Sequence, residues 1–353
     1  MKFPLHHFPD AEHLDHPSQA KIGIHPFPDR LYVVTMLENP LRWRARYDNY
    51  WKFEKHVHDS GAILYTVEIA YGDRKFEITE PGNPQHIQLR TYDEVWHKEN
   101  ALNIAISHLP TDAKYVAWVD ADVTFQRPDW AQETLHLLQH YDFIQMFSHA
   151  HDIERNHCIM NTHTGFVYQY EQEHLFPAVE HVVNPKGPMP RFPDLANYPY
   201  SGGGGGSFNY WHPGFAWAAK ISALEKVGML IDWAVLGSAD WHMAWALIGQ
   251  PDKSIDHKDI SNVYAQWTLE WCKRCDEHIK QNVGYMPGAV YHAYHGTKEK
   301  RRYYDRWRFL INAKFDPSTD LKKDRQGLWQ LSGNNKVLRD GIRMYNRTRN
   351  EDE

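Results

Sequence analysis

Short apolar runs alternate with longer amphipathic stretches over the first half of the chain. Residues 31–35 are apolar and β-branched and read as a buried parallel strand, with Asn39-Pro40 to stop it. A helical pattern follows over 42–58, carrying Trp43, Tyr47, Tyr50 and Trp51. Residues 62–68 and 86–90 repeat the strand pattern. The stretch 96–108, with Ala101, Leu102, Ile104, Ala105 and Ile106, predicts a helix that Pro110 ends. Residues 115–119 predict the next strand, 128–140 a helix opened by Pro128, and 141–147 a further strand. Strand and helix in alternation predict an α/β fold, an open and mostly parallel sheet with helices on both faces. Ligands of such a sheet gather beyond the carboxyl ends of its strands.

The second half is less regular. Residues 183–213 read as loop, with several prolines and the glycine run Gly202 to Gly206. A strand is predicted over 214–219 and helices over 221–227 and 240–248; there is no internal repeat. Residues 1–30, rich in Pro, His and Asp, read as an extended N-terminal arm.

Composition narrows this picture. With 353 residues and 42% hydrophobic content, the chain is long enough for one large domain. Its 14 Trp and 20 Tyr argue against disorder and suit a flat or hydroxyl-rich ligand. No apolar run approaches the ~20 residues of a membrane span, and the first residues lack the apolar core of a signal peptide. Three cysteines are too few for a secreted disulfide framework, so a cytoplasmic location is expected, in a bacterium or a virus-infected host cell. Residues 296–353 carry fifteen Lys and Arg against nine Asp and Glu, +6 in a chain of net −6, which leaves −12 on the rest. A basic, helical C-terminal segment on an acidic body suggests a local anion site or a solvated helix face.

The strongest chemical signal is Val119-Asp120-Ala121-Asp122 at the end of an apolar strand. Two carboxylates two residues apart can converge on one hard cation, which would neutralise a diphosphate and the charge that develops as it leaves. The competing reading is a capped turn, for which Asp is equally suited. Farther on stand Trp211-His-Pro-Gly-Phe-Ala-Trp217, Gly228-Met-Leu and Gly237-Ser-Ala-Asp240-Trp241, then Tyr291-His292-Ala-Tyr-His295-Gly-Thr-Lys298-Glu-Lys300-Arg301-Arg302. Histidine suits a borderline cation beside carboxylates, and clustered Lys and Arg suit bridging phosphates. The alternative for each His is an ordinary packed or exposed residue, and for Asp240 an N-terminal helix cap.

The order of these motifs over roughly residues 30–305 resembles the GT-A glycosyltransferases, family-2-like, and their β-1,4-galactosyltransferase group. The resemblance implies a GT-A open mixed sheet flanked by helices, spanning 31–295. Its nucleotide-sugar half would be 31–150 and its acceptor half 151–295, with the basic segment 296–353 appended. It implies a divalent metal, Mn²⁺ or Mg²⁺, on Asp120, Asp122 and His295, with His292 the less favoured histidine. Asp240 falls where the catalytic base of inverting members stands, although Ala239 replaces an acidic residue of the galactosyltransferase group. Thr35, Glu68, Arg90, Trp96, Lys98, Asn100, Lys298 and Arg301 would contact the nucleotide-sugar donor, and His212, Trp217 and Trp241 the acceptor. The alternative for each of these is a solvated side chain or ordinary packing.

The resemblance implies transfer of a sugar from a nucleotide-sugar, a UDP-sugar by family habit, to an acceptor hydroxyl with inversion. The acceptor stays open between a glycan and DNA with hydroxymethylated bases, since base-J-type and phage DNA glycosyltransferases resemble the same enzymes. Tyr303, Tyr304 and Trp307 among the basic residues favour nucleic acid, and the acidic body opposes it. The glycine run is as suited to a lid that excludes water as to a plain loop. Cys272-Lys-Arg-Cys275 with His278 is an incomplete zinc set, so buried reduced thiols are expected. A sugar nucleotidyltransferase would want a basic, Gly-rich loop after the first strand, where Met36-Leu-Glu-Asn-Pro40 stands instead. A non-catalytic binding protein is the other alternative, which intact Asp120, Asp122 and Asp240 oppose.

Overall fold

The computed structural model describes residues 29–175, 211–255, 260–296 and 306–352. The described chain begins with β1 (Leu31–Glu38), α1 (Arg44–Asp59), β2 (Ile63–Tyr71), β3 (His86–Thr91), α2 (Lys98–Ser107) and β4 (Tyr115–Val119). Then come β5 (Val123–Phe125), α3 (Trp130–Leu137), β6 (Phe143–Gln145), β7 (His149–Ile153), β8 (Ile159–Gly165) and α4 (Phe166–Leu175). Next are β9 (Trp211–His212), β10 (Ala216–Lys220), α5 (Ile221–Val227), α6 (Ala239–Leu247), α7 (Asn262–His278), β11 (Val283–Tyr285) and β12 (Ala289–His292). The described part closes with α8 (Arg306–Asn312), α9 (Pro317–Asp320), β13 (Leu321–Lys323), β14 (Trp329–Leu331) and α10 (Lys336–Thr348).

The larger sheet has seven strands in the order β11-β6-β10-β4-β1-β2-β3. β4, β1, β2 and β3 run parallel, while β10 lies antiparallel to both β4 and β6. One reversed strand therefore makes the sheet mixed, as the resemblance implied, while the other strands run parallel, as the apolar runs predicted. Every residue of β4 is buried, as expected of a strand covered on both faces, whereas β3 at the edge alternates buried and half-buried positions. Two apolar clusters cover the faces. One packs Leu102, Ala105 and Ile106 of α2 and Trp245 and Leu247 of α6 against Val34, Val67 and Val116; the other packs Phe53 and Val57 of α1 and Trp130 of α3 against Val33, Leu64 and Ala117.

The second sheet, in the order β5-β12-β7-β8-β9, has no counterpart in the sequence reading. Its strands are short and rich in histidine and threonine, so neither an apolar run nor a clean alternation marks them. β5 follows β4 after the Asp120–Asp122 turn and pairs antiparallel with β12, Val123 opposite His292.

The basic C-terminal segment is part of the same body. Trp307, Leu310, Leu338, Ile342 and Tyr345 form one buried cluster with Val95, Val235, Leu236 and Tyr264 of the preceding domain. Trp307 is therefore a core ring and offers no stacking platform for a base; Tyr303 and Tyr304 lie outside the described residues. Arg347, its side chain half exposed, pairs with Glu94 at the surface, whereas Arg349 is buried against Glu351, so the Arg349 guanidinium is committed within the protein. No helix of the described residues is long and apolar enough to cross a membrane.

Candidate active site

β4 ends at Val119, and the chain turns over Asp120 to Asp122, the Val123 N–H donating to the Asp120 carbonyl. The turn is held from two sides. The Asp120 N–H donates to the Phe215 carbonyl, and the Ala293 N–H donates to the Asp122 carbonyl at 2.8 Å. The second bond continues the β5–β12 pairing and draws the residues after β12 onto the aspartate turn.

Asp122, His292 and His295 meet there. His295 Nε2 is 3.2 Å and His292 Nε2 3.6 Å from Asp122 Oδ2, and the two Nε2 atoms are 3.0 Å apart. One ligand atom from each lies within 4.8 Å of the other two, the only such His, Cys, Asp and Glu group of three among the described residues. One carboxylate oxygen and two imidazole nitrogens suit a borderline divalent cation such as Mn²⁺.

Both imidazoles are backed by carboxylates. His292 Nδ1 is 2.8 Å from Asp152 Oδ1, and Asp152 Oδ2 is 2.7 Å from His163 Nε2. Burial pulls the His292 pKa down, but Asp122 and Asp152 outweigh it and raise it to about 9. Glu351 stands behind His295 Nδ1 at 3.5 Å. Burial would raise the Glu351 carboxyl, but Arg46 and Arg349 outweigh it and hold it well below the usual range.

Asp120 does not join this group. It contacts the Lys98 ammonium, brought in by the first turn of α2. Burial disfavours the charged Lys98, and Asp120, Glu99 and Asp240 overcome that and raise its pKa. Glu99, buried in the same turn, is pushed up to about 8 by burial, against the pull of Lys98 and with the help of Asp240. Burial likewise raises Asp120 against the pull of Lys98.

Asp240 stands in the first turn of α6. Gly237 and Ser238 before it both take positive φ, 89° and 81°, a sharp reversal that sets where the helix starts. Asp240 Oδ1 accepts from the Trp241 N–H at 2.9 Å. Its other oxygen lies over Gly214: a Cβ there would be 2.5 Å from Asp240 Oδ2 and 3.1 Å from His212 Cε1. His212 stacks on Phe215 at 3.8 Å between ring centroids, and Phe215 packs on His292 at 4.6 Å. A file of rings thus runs from His212, beside Asp240, to the His292–His295 group.

Several expected donor contacts are engaged within the protein. Thr35 lies inside β1, which runs on to Glu38, and its hydroxyl donates to the Val119 carbonyl, tying β1 to β4. The Glu68 carboxylate accepts from the N–H groups of Glu77, Ile78 and Thr79 and so pins a loop. Arg90 donates to the carbonyls of Gly72 and Arg74. Asn100 bonds the Gly327 carbonyl and the Trp329 N–H, fastening α2 to the β13–β14 hairpin. The Trp96 ring lies 5.9 Å from the Arg349 guanidinium. Of this set Lys98 stands among the carboxylates, while Lys298 and Arg301 lie outside the described residues. On the acceptor side, Trp217 is a core residue, 3% exposed, whose Nε1 donates to the Pro213 carbonyl. Trp241 is buried edge-on to Trp245, which leaves His212 beside Asp240.

A cleft lined by Leu37, Asn39, Arg42, Tyr47, Arg74 and Glu77 opens beyond the ends of β1 and β2. The glycine run lies outside the described residues. Cys272 and Cys275 are both buried in α7; burial pushes Cys272 up to about 12 and raises Cys275 as well.

Asp152, His163 and Glu351 escaped the sequence reading. Asp152 sits in an unremarkable His-Ala-His-Asp run, and Glu351 is one acid in a basic tail. The His292-x-x-His295 spacing was the available signal that both histidines act together.

The chain is similar to Drosophila beta1,4-galactosyltransferase 7. Its catalytic domain with xylobiose matches at 9% identity and a TM-score of 0.29, over 62% of this chain and 60% of that one. A mutant in complex with manganese, UDP-Gal and xylobiose matches at 10% identity and 0.29, over 62% and 60%. The chain therefore spans about 60% of the length of these galactosyltransferase chains. A protein described as a nucleotide-diphospho-sugar transferase, from Desulfovibrio desulfuricans, is similar at 11% identity and a TM-score of 0.33, over 90% of this chain and 99% of that one. No curated protein matches. Residues 38–195, which include Asp120, Asp122 and Asp152, match the family model described as glycosyl transferase family 2.

Proposed function

We propose that the chain transfers a sugar from a nucleoside-diphosphate donor to an acceptor hydroxyl, with inversion and with a divalent cation on Asp122, His292 and His295. The convergence of those three ligand atoms at the carboxyl end of β4 carries the proposal. A cation there would neutralise the diphosphate and stabilise its charge as it leaves. Asp120 takes a different part from the one its motif implies: held by Lys98, it lies beside the cation group and orients donor hydroxyls.

The acceptor hydroxyl attacks the anomeric carbon while Asp240 takes its proton, and the bond from that carbon to the diphosphate breaks. A positioned base of this kind contributes about 10²–10⁴ in rate. Lys98, kept charged by Asp120, Glu99 and Asp240, adds fixed positive charge beside the leaving group. The cleft beyond β1 and β2 takes the base and ribose, with Glu68 shaping its wall through the loop it pins. Lys298 and Arg301 grip the diphosphate. A UDP-sugar is the donor proposed on the family resemblance.

A glycan is the acceptor the arrangement favours over modified DNA. Trp307, Tyr345 and Arg349 are buried, so these residues are not presented to a nucleic-acid strand.

Melting temperature in the presence of UDP, GDP, ADP or CDP, each with and without Mn²⁺, tests the donor site. A rise with UDP that needs Mn²⁺ and disappears in Asp122→Ala is expected. No rise with any nucleotide under either condition would sink the proposal.

A further inference from the structure

Residues 349–352 are built into the site from outside the family-2 match. Glu351 is 1% exposed. Its two oxygens face Arg46, at 2.7 Å to Nε and 2.8 Å to Nη2, and Arg349 Nη2 lies 2.7 Å from Oε1. Asp352 accepts from the N–H groups of Arg44 and Ala45, at 3.0 and 2.9 Å, and so caps the start of α1. Arg155, beyond the end of β7, donates to the Asp352 carbonyl. Gly296 follows His295 directly, has φ of +89°, and a Cβ there would be 2.3 Å from the Asn350 carbonyl oxygen and 2.9 Å from the Glu351 Cα. The segment and the residue next to His295 are therefore in backbone contact that no other side chain would permit without movement.

This seating leaves Glu351 Oε2 3.5 Å from His295 Nδ1, while His295 Nε2 faces Asp122 at 3.2 Å. An imidazole whose Nδ1–H points at a carboxylate keeps the Nε2 lone pair for a cation, in a fixed ring orientation and with greater basicity. Asp152 does the same for His292, from the adjacent strand β7. Glu351 does it from a segment 56 residues after His295, held by arginines of α1 and of its own segment.

We infer that Glu351 is a positioning residue of the metal centre, so that docking of residues 349–352 and divalent-cation binding favour each other. The inference rests on the cation site proposed above and adds a remote segment as its outer wall. Because linkage is reciprocal, cation binding must tighten the segment by the same factor by which the docked segment tightens the cation.

The test is Mn²⁺ titration of the full chain without nucleotide, read by the free-Mn²⁺ electron paramagnetic resonance signal. Glu351→Gln is expected to weaken binding by about 10–100-fold, the usual effect of removing a carboxylate behind a ligating His. In a His295→Ala background the same change is expected to have no further effect on the residual affinity, since its route is through that ring. Unchanged affinity in Glu351→Gln, or an equal loss in both backgrounds, would overturn the inference. Should Glu351→Gln not fold, the wild-type chain supplies a second measurement. Saturating Mn²⁺ should slow amide hydrogen exchange in residues 349–352, and unaltered exchange there refutes the coupling. A wild-type chain that binds no Mn²⁺ is a separate result: it removes the cation site itself.

Discussion

Lowering the pH from about 10, where the His292 ring is neutral, to about 7 should weaken Mn²⁺ binding by about 100-fold. Without a cation, His292 has a pKa raised to about 9, because Asp122 and Asp152 outweigh the opposing effect of burial. Near neutrality its ring therefore carries a proton that a cation must displace. Each pH unit below that pKa costs about 1.4 kcal/mol, so two units cost about 2.7 kcal/mol. Calorimetric titration in two buffers of different ionisation enthalpy reads this directly. The apparent affinity should rise about tenfold per pH unit up to about pH 9, with one proton released per ion at about pH 7 and fewer as the pH rises. The sign for the cation-free protein is opposite. A folded pKa above the unfolded 6.5 gives stability that is complete below 6.5 and is lost as pH rises through about 9. An affinity flat between about pH 7 and pH 9, with no proton released, would refute this account of the two carboxylates.

Asp152→Asn leaves one imidazole facing an amide NH₂ where it faced a carboxylate oxygen, so Mn²⁺ affinity should fall about 10–100-fold; equal affinity by the same titration counts against the role of Asp152. Gly214→Ala places a Cβ 2.5 Å from Asp240 Oδ2, so transfer should slow while Mn²⁺ affinity holds, which separates the base from the cation group; steady-state kinetics beside a Mn²⁺ titration decide it. Asp240→Asn should lower kcat by about 10²–10⁴ with nucleotide binding retained, and an unimpaired kcat removes Asp240 from the chemistry. In a thiol titration of the native chain Cys158, which is exposed, should react fast, while Cys272 and Cys275 wait for unfolding.

The large sheet was legible because burial on both faces writes continuous apolar runs: β4 was read to the residue, while β1 and β2 were each read three residues short, stopping at the polar Thr35 and Glu68 although the strands run on to Glu38 and Tyr71. β10 was read as a strand but not as a reversed one, since apolar pattern carries no direction. The second sheet was missed because its strands, such as His-Ala-His-Asp-Ile, carry the site's polar groups and so break the periodicity that identifies strands. The same conflict governs the site residues. Asp122 and Asp240 could be picked out by local motif, and Lys98 by its place before the aspartates. Thr35, Glu68, Arg90 and Asn100 hold other parts of the chain, because polarity near a strand or helix end does not say whether a group faces a ligand, the backbone of another loop, or both. Asp152 and Glu351 face histidines 140 and 56 residues away, respectively, a separation that local pattern cannot express.

The cation group lies at the seam of the two sheets: Asp122 where the chain leaves β4 for β5, His292 at the end of β12, and His295 just beyond it. Its ligands are 170 residues apart along the chain and come together only when β5 has paired with β12. Contacts of that separation form late, after the loop-closing entropy has been met by other pairings. A cation would therefore have little to hold in the folding transition state and much to hold in the native one. It would act as a brake on unfolding, lengthening the life of the folded chain without hastening its birth.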